Sequence, residues 1–373
     1  MGHKSDFGQE EVIHKMTTFN SITSSSVDNV EQIVYENTLT GDAASVTISG
    51  LDGNTDEEYR LIIFGAPHTT DSAHWVSLYL NNDSSINNYT ITYTFYTSSA
   101  GGAIIGTGSS AAYATYINAG NQPGFSDIRI FAKSGRKRSI IGRMNYGLAA
   151  SQFPWTFNFT NQWTNTADNL TSIVLSGNMG AGTYICLMKR TQNTTGKLFN
   201  TMTTKSLNAN CFTAVYDSGL LNTTSPVTIT GLNGNVDKIY DIEIRHHGDS
   251  ATLNLNADTG ANYAYSSQYG KWSGGVNSFT GEGFTGGSAM ILTYGTAATT
   301  VNRCCYGSIY AATGRVRCGA IDYFEVDGND GTPAYAGTFA TMWTNTADNI
   351  TSITFNGGFQ TSSTIRLKTI KRV

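Results

Sequence analysis

Few residues in this chain combine the type and the spacing that catalysis or cofactor binding requires. Gly281-x-Gly283-x-x-Gly286 matches the dinucleotide-binding fingerprint by letters. That fingerprint needs a helix after its glycines, and no helical segment follows these, so a glycine-rich turn is the simpler interpretation. No Ser or Cys stands in the context of a nucleophile elbow. The sequence therefore predicts no catalytic residue, no metal and no cofactor.

The histidines form two small groups that could be read as metal ligands. His68 and His74 flank Asp71, and a His-His pair at 246–247 precedes Asp249. A metal site would need a further convergent ligand, and the first group has no counterpart in the second half of the chain. We expect these histidines to lie in surface loops.

Asp83 and Asp258 are the most promising binding residues, because each follows a Leu-x-Leu-Asn-x run. A short Asn-x-Asp beside a strand could bind a calcium ion or a sugar hydroxyl. The alternative, which we favour, is that Asn and Asp cap a tight turn through their own backbone. Both interpretations remain open from the sequence.

One basic cluster stands out, formed by Lys133, Arg136, Lys137 and Arg138. It could be a solvated loop, a contact patch for an acidic surface of a neighbouring protein, or a nucleic-acid contact. The net charge of −4 does not favour general binding to nucleic acid or to an anionic membrane. A solvated loop is favoured, a protein contact comes next, and no specific nucleic acid is expected.

These residues sit in a chain that repeats itself once. Trp163-Thr-Asn-Thr-Ala-Asp-Asn-Leu-Thr-Ser-Ile173 returns as Trp343-Thr-Asn-Thr-Ala-Asp-Asn-Ile-Thr-Ser-Ile353. The same register holds upstream, where Tyr59 corresponds to Tyr240. A repeat unit this long is a whole domain. The two tryptophans either fill the core or stack on sugars, and the core is favoured.

The composition suits strands. Charged residues make up 13% of the chain, with 20 Tyr and 17 Phe, and polar and β-branched residues alternate as they do on half-buried strands. We predict strands at 45–48, 60–64 and 89–96, and a closing hairpin of 172–175 with 183–187. No stretch of about 18 apolar residues suggests a membrane span, and the N-terminus lacks the apolar core of a signal peptide.

The predicted fold class is all-β, with two tandem, homologous β-sandwich (jelly-roll-like) domains at 19–198 and 199–373 behind an N-terminal arm at 1–18. Phe7, Val12, Ile13 and Met16 lie at roughly helical spacing in that arm, which predicts an amphipathic assembly segment. The five cysteines have no metal-type spacing and indicate reduced thiols from a cytosol.

Each module resembles a family of bacteriophage virion proteins, labelled tail, minor structural or capsid-decorating proteins. The resemblance is carried in the first module by 45–51 with Tyr59-Arg60-Leu61, by 78–83 with Asn88-Tyr89, and by 170–187; the second module has the corresponding segments 227–232, 253–258 with Asn262-Tyr263, and 350–367. The chain departs from the family at 365–373, where a Leu-Tyr-Gly-Ile-like tail is replaced.

The resemblance implies a non-enzymatic structural protein of the virion, made in the host cytoplasm. Its partners would be other capsid or tail proteins, and it would form a homo-oligomer, with a trimer as one form. The alternative is a carbohydrate-binding adhesin that recognises host surface glycans. A glycan-degrading enzyme on the same scaffold is the least favoured hypothesis, because the sequence selects no pair of catalytic carboxylates.

Overall fold

The computed structural model describes residues 30–68, 73–96, 101–117, 123–146, 154–191, 212–223, 225–247, 250–273, 276–293, 302–326 and 334–370. The predicted arm, with Phe7, Val12, Ile13 and Met16, lies outside these residues. The predicted boundary between the modules at 198/199 lies outside them as well.

The described residues of module 1 form twelve strands and one short helix. The strands are β1 Val30–Thr38, β2 Ala43–Ser49, β3 Glu58–Gly65, β4 His74–Leu80, β5 Tyr89–Tyr96, β6 Gly101–Ser109, β7 Ala112–Ile117, β8 Gly124–Phe131, β9 Arg138–Tyr146, β10 Trp155–Trp163, β11 Ser172–Met179 and β12 Tyr184–Thr191. The helix α1 spans Gly53–Asp56 and is capped by Asp52, whose side chain accepts from the backbone N–H of Thr55.

Module 2 repeats this series. Its strands are β13 Phe212–Asp217, β14 Leu221–Thr223, β15 Val227–Thr230, β16 Ile239–His247, β17 Thr252–Leu255, β18 Tyr263–Ser273, β19 Val276–Gly287, β20 Met290–Ile291, β21 Asn302–Tyr310, β22 Arg317–Val326, β23 Ala334–Trp343, β24 Ser352–Asn356 and β25 Phe359–Ile370. The helix α2 spans Gly234–Asp237 and is capped by Asn233 at the position of Asp52.

Each module is a sandwich of one large and one small antiparallel sheet. In module 1 the large sheet has the order β1-β12-β3-β8-β9-β10-β5-β6 and the small sheet β2-β11-β4-β7. Without the extra hairpins β5–β6 and β9–β10, the eight remaining strands form two groups of four between which the chain passes back and forth. This is the jelly-roll arrangement. Module 2 has the same order, β13-β25-β16-β21-β22-β23-β18-β19 over β15-β24-β17-β20, with β14 added beside β25. The predicted fold class is confirmed.

Alternation along the strands separates two faces. In β3 the side chains of Tyr59, Leu61 and Ile63 enter the core of module 1, whereas Ile62 and Phe64 point out of the sandwich. Burying side chains of this size contributes about 1.5–3 kcal/mol each. The prediction of a strand at 89–96 is confirmed residue for residue by β5.

The predicted closing hairpin is wrong, because its two strands belong to different sheets. β11 pairs with β2 and β4, and β12 pairs with β1 and β3. Between them the chain turns a corner at Gly180, where an added Cβ would lie 1.8 Å from the carbonyl oxygen of Pro67. This close approach, together with Gly182 at φ +86°, carries the chain from one sheet to the other.

The two modules pack against each other through the outer faces of their large sheets. An apolar cluster fills one side of this interface, where Phe64 of module 1 stacks on Tyr310 of module 2 with ring centroids 3.9 Å apart. The result is four layers of sheet with the two large sheets in the middle.

Candidate functional site

The Asn-x-Asp turn of module 1 uses its carboxylate internally. Asp83 Oδ2 accepts hydrogen bonds from the indole of Trp163 and the amide of Asn88, both at 2.7 Å, and Oδ1 accepts from the backbone N–H of Ser85 at 3.0 Å. Burial by itself would raise the pKa of Asp83, but these hydrogen bonds outweigh it and lower that pKa. The preceding Asn81 has φ +53°.

Module 2 builds the same turn around Asp258. Its Oδ2 accepts from Trp343 at 2.7 Å and from Asn262 at 2.9 Å, and its Oδ1 accepts from the N–H of Gly260 at 2.8 Å. Burial opposes these bonds, and their sum lowers the pKa of Asp258. Ion or glycan binding at Asp83 and Asp258 stays a prediction, and any such ligand would have to share a carboxylate that already accepts three hydrogen bonds, two at Oδ2 and one at Oδ1.

The strongly repeated segment after each tryptophan has a structural use. Both tryptophans are fully buried in their cores, as we favoured. Asn81 Nδ2 donates to the carbonyl of Asn169 and its Oδ1 accepts from the N–H of Thr171, at 2.7 and 2.8 Å. Asn256 makes the equivalent bonds in module 2. The repeated residues therefore tie the turn between β4 and β5 to the segment that follows β10.

The four residues of the predicted basic patch do not share one surface. Arg136 and Lys137 are exposed, and Lys133 is exposed and bonded to Glu57. Arg138 does not belong to that surface, because it is fully buried, donates to backbone carbonyls after β10 and lies over the ring of Trp163 at 4.9 Å. Arg317 over Trp343 repeats this cation–π contact in module 2.

His74, His246 and His247 lie in strands, and His68 lies in the loop that follows β3. His74 begins β4, and its Nε2 lies 2.7 Å from the carbonyl of Asn178. His246 is buried in β16 with Nε2 3.1 Å from Thr293 Oγ1, so the prediction of a surface loop is wrong there. Asp71 and Asp249 lie outside the described residues. Among the residues that the structure describes, no group of three or more His, Cys, Asp or Glu could hold a metal ion.

The glycine fingerprint lies inside a strand, and this excludes both a phosphate loop and a simple turn. Its three glycines belong to β19. An added Cβ at Gly281 would come within 2.1 Å of the ring of Tyr96 in module 1. The glycine is thus needed for the close approach of the two modules.

Sequence reasoning missed the largest polar feature, a buried charge network between the large sheets. Arg60 of β3 donates to both oxygens of Asp127 at 3.0 and 2.9 Å, to Asp241 of module 2 at 2.8 and 3.2 Å, and to Ser308 at 2.8 Å. Burial alone would raise the pKa of Asp127, but the guanidinium groups of Arg60 and Arg143 hold it well below its usual range.

Glu31 extends the network, with its carboxylate 3.4 Å from Arg60. Burial raises the pKa of Glu31, and the charge of Arg60 offsets only part of that rise. Arg143 completes the network, pairing with Asp127 at 3.0 Å and with Asp322 of module 2 at 2.5 Å.

These contacts follow the internal repeat. Strand register places four residues side by side on the large sheet of module 1: Asp127, Arg143, Asn158 and Thr94. Their equivalents lie side by side on the large sheet of module 2: Tyr306, Asp322, Thr338 and Gln268. Across the interface Arg143 meets Asp322, Thr338 donates to Asn158 and Thr94 donates to Gln268. Three of the four residues thus meet their own equivalents, as Arg60 meets Asp241 in the network, and this is the signature of a two-fold axis. The modules are therefore related by a pseudo-two-fold axis that runs between the large sheets.

On one side of the network the sheets separate and leave a cleft of about 890 Å³. Module 1 contributes Thr92, Arg129, Ile141 and Thr160 to its wall, and module 2 contributes Glu243, Arg245, Cys304, Tyr306, Arg366 and Lys368. The network of Arg60 forms its floor. This volume lies within the range of small-molecule sites, about 300–1,000 Å³, and the cleft is the candidate functional site.

Comparison with known proteins identifies no family. No family model matches the chain, and no curated protein matches it. Among solved structures, the LG1-3 region of the laminin alpha2 chain shares 8% identity at a TM-score of 0.17, covering 87% of this chain, which spans 63% of that fragment. The tesB protein of Mycobacterium avium subs paratuberculosis shares 8% identity at a TM-score of 0.11, with 70% and 80% of the two chains covered. CghA shares 5% identity at a TM-score of 0.12, with 82% and 100% covered. Similarities this low carry no inference about fold or function.

In the described part of the chain, no helix has the length and apolar character that crossing a bilayer requires.

Proposed function

We propose that this protein is a non-enzymatic structural component of a bacteriophage particle. In the virion it would assemble as a homo-oligomer with capsid proteins, as a decoration or vertex component, or with tail proteins. The observation that carries the proposal is the edge strand β6, which ends the large sheet of module 1. β6 contains no charged residue, and Ile105 on it is 78% exposed.

An edge of this kind is built for pairing with another chain. Edge strands present unpaired N–H and C=O groups, and monomeric proteins protect them with charges, prolines or bulges. Among the described residues only β5 pairs with β6, and the described part of β6 has no charge and no proline. Its one register shift leaves Gly108 unpaired near the end of the strand, so the stretch from Gly101 to Thr107 is a regular edge. A second copy of β6 would satisfy the backbone groups and cover the exposed isoleucines in one isologous contact.

The repeated polar residues support the same role. The hydrogen bonds between Asp83 and Trp163, and between Asp258 and Trp343, stabilise the fold of each module. The exposed Lys133, Arg136 and Lys137 remain the predicted contact patch for an acidic surface of a neighbouring virion protein.

The test of assembly is a charge on the edge strand. Ile105→Lys is expected to lower the mass of the purified protein from oligomer to monomer in native mass spectrometry, because a lysine on an edge strand opposes strand pairing. Ile86→Lys is the matched control, since Ile86 is equally exposed, at 74%, but lies in a loop. A wild-type protein that is monomeric at all concentrations would refute assembly through β6.

The test of location uses the particle itself. Antibodies against the purified protein should label purified particles by immunogold electron microscopy. A variant that lacks residues 1–18 should fold but fail to join the particle, because we assign the arm to anchoring. Unlabelled particles would contradict the virion role, and normal incorporation of the truncated chain would contradict the role of the arm.

Glycan recognition is the second candidate function, and the cleft is the observation that favours it. Its volume suits a ligand of a few sugar rings, and its wall combines hydroxyl, guanidinium and aromatic groups.

A further inference from the structure

The edge strand β6 carries an exposed isoleucine on each face of the sheet. We infer that β6 pairs antiparallel with β6 of a second copy about a two-fold axis at Ile104, and that this contact closes the assembly at a dimer. Such a dimer rests on the proposed assembly through β6, and it adds the register of the paired strands and the number of copies.

Pairing with β5 assigns the two isoleucines to opposite sides of the large sheet. Tyr93 packs on the core of module 1 and lies directly opposite Ile104, so Ile104 points to the core side. Ile105 follows it and points to the outer side, on which module 2 packs. Ile104 is 44% exposed and Ile105 is 78% exposed. A strand added at this edge therefore covers apolar surface on both sides of the sheet.

The regular part of the edge has Ile104 at its middle. It runs over seven residues from Gly101 to Thr107. In an antiparallel pair about a two-fold axis at Ile104, every one of these residues has a partner in the second copy. An axis one residue away pairs only 101–105 or 103–107, because the strand begins at one end of the stretch and the unpaired Gly108 interrupts it at the other. The axis at Ile104 thus forms the longest regular pair.

The sizes of the side chains match in this register. On the core side the two Ile104 side chains meet at the axis, and on either side of them Gly102 of one copy lies opposite Gly106 of the other. The glycines leave room for the isoleucines to pack on each other. On the outer side Ala103 lies opposite Ile105 of the second copy, so a small side chain accompanies a large one. Apolar cross-strand pairs of this kind stabilise a sheet.

A pocket lies beside β6 on the outer side of the sheet. It has a volume of about 420 Å³ and lies between the β5–β6 hairpin of module 1 and β19 of module 2. Its wall is uncharged and consists of Thr94, Tyr96, Gly101, Gly102, Ala103 and Gly281. Because Ala103 belongs to this wall, the pairing brings the exposed Ile105 of the second copy next to the pocket. Each copy thus offers an apolar side chain and a place beside which it packs.

The equivalent edge strand of module 2 is unsuited to the same contact. β5 and β18 begin at equivalent tyrosines, and Ile104 and Glu282 each lie opposite the fifth residue of these strands. Glu282 therefore has the position of Ile104, and its carboxylate accepts a hydrogen bond from Tyr269 at 2.7 Å. The equivalent axis would place Glu282 opposite its own copy, and like charges directly opposite each other destabilise a sheet.

The edges at the other end of the large sheets are protected. β1 carries Glu31 and Glu36 and has a bulge at Val34. β13 ends at Asp217 and has its bulge at Val215, the equivalent of Val34. Charges and bulges of this kind oppose pairing of edge strands. In the described part of the large sheets, β6 is thus the edge that is both regular and uncharged, and an isologous contact through one edge closes at two copies.

The first experiment determines the number of copies and the residue at the axis. Native mass spectrometry of the wild type should give a dimer. Dibromobimane, a short reagent that bridges two thiols, should join two chains of Ile104→Cys, because Cβ atoms directly opposite each other lie about 4.5–5.5 Å apart. Ile105→Cys should be bridged at least about tenfold more slowly, because its two copies are diagonal neighbours about 7–8 Å apart.

Two further variants complete this experiment. A mixture of Ala103→Cys with Ile105→Cys should be bridged as fast as Ile104→Cys, since these residues lie opposite each other in the register. Ile86→Cys is the control for chance encounters, because Ile86 is 74% exposed and lies in a loop. The wild type is the blank for the native Cys304, which is partly exposed.

The second experiment places charges on the axis. Ile104→Glu and Ile104→Lys should each be monomeric in native mass spectrometry, because like charges meet at the axis. An equal mixture of the two variants should form a dimer that contains one chain of each. Recovery of the dimer in the mixture also shows that both variants are folded. Ile86→Glu, the matched control, should stay dimeric.

The outcomes separate this register from assembly through β6 itself. A wild-type trimer, bridging of Ile105→Cys as fast as that of Ile104→Cys, or a mixture of the charged variants that stays monomeric would overturn the dimer about Ile104. If Ile105→Lys is monomeric in the same series, assembly through β6 stands and only the register and the number of copies are wrong. A wild-type protein that is monomeric at all concentrations would overturn both.

Discussion

Removing Arg60 is the most informative perturbation of the buried network. This guanidinium is buried and connects carboxylates of both modules, Asp127 of module 1 and Asp241 of module 2. Arg60→Met keeps an unbranched side chain of similar length and removes the charge. We expect the modules to be destabilised against each other, because the carboxylates stay buried without their partner.

The magnitude follows from the charge balance. Two arginines, Arg60 and Arg143, face the four carboxylates of Glu31, Asp127, Asp241 and Asp322. Removing one partner of a buried ion pair costs about 3–5 kcal/mol. With a single arginine left among four carboxylates, we expect the free energy of unfolding to fall by an amount at the upper end of this range, about 5 kcal/mol.

The assay is urea unfolding followed by circular dichroism at pH 7 and again below pH 4. The cost of Arg60→Met should shrink in acid, because protonation removes the unpaired negative charges. Arg245→Met is the matched control: its side chain is 71% exposed and pairs with Glu243 at 3.2 Å, so it should cost at most about 1 kcal/mol. A cost for Arg60→Met below about 1 kcal/mol at pH 7, or one that does not change with pH, would refute this account of the network.

Three further predictions follow from other contacts. Gly281→Ala should lower the melting temperature, measured by differential scanning calorimetry, because its Cβ would overlap the ring of Tyr96. Trp343→Phe should reduce the free energy of unfolding in urea by about 1–3 kcal/mol, because it leaves Asp258 without its indole donor. Since the pKa of Asp127 is depressed in the folded protein, its contribution should be fully present above the ordinary carboxyl pKa of about 4 and should be lost as the pH falls below it, as an acid titration of stability would measure.

Controls for these variants come from the chain itself. Gly41→Ala should leave the melting temperature unchanged, since nothing lies within 4 Å of a Cβ added there. Asp127→Asn should make the free energy of unfolding decrease less steeply as the pH falls. If it decreases as steeply as in the wild type, other carboxylates are responsible for the acid sensitivity. For Trp343→Phe, a change below about 0.5 kcal/mol would show that the hydrogen bond to Asp258 is replaced by water.

The fold was largely predictable because its signals are local. Alternation of Tyr, Ile and Phe with Thr marks β5 without knowledge of its neighbours. The repeat of the Trp163 segment at Trp343 showed that one fold is present twice. The hairpin after β11 was misread because alternation marks two faces of a strand but does not say which sheet the next strand joins.

The cleft could not be predicted, since it depends on which faces of the two modules meet. The pair Arg60 and Asp241 did offer a signal: these residues occupy equivalent positions in the repeat and carry opposite charges. A comparison of the two copies position by position would have found it. Arg138 was assigned to the basic patch because a charged side chain beside a loop is usually exposed. In the structure it is buried over the ring of Trp163 instead.

The opposite charges at the pseudo-two-fold axis limit how copies of this chain can exchange halves. If the first half of one chain docked on the first half of another, Arg60 would face Arg60; two second halves would set Asp241 against Asp241. Like charges in such positions cost several kcal/mol, on the order of those that reject wrong partners at interfaces. The charges thus allow a first half to dock only on a second half, and each chain carries one of each. A chain whose halves dock on each other has used these faces, so a larger assembly must form through its other surfaces.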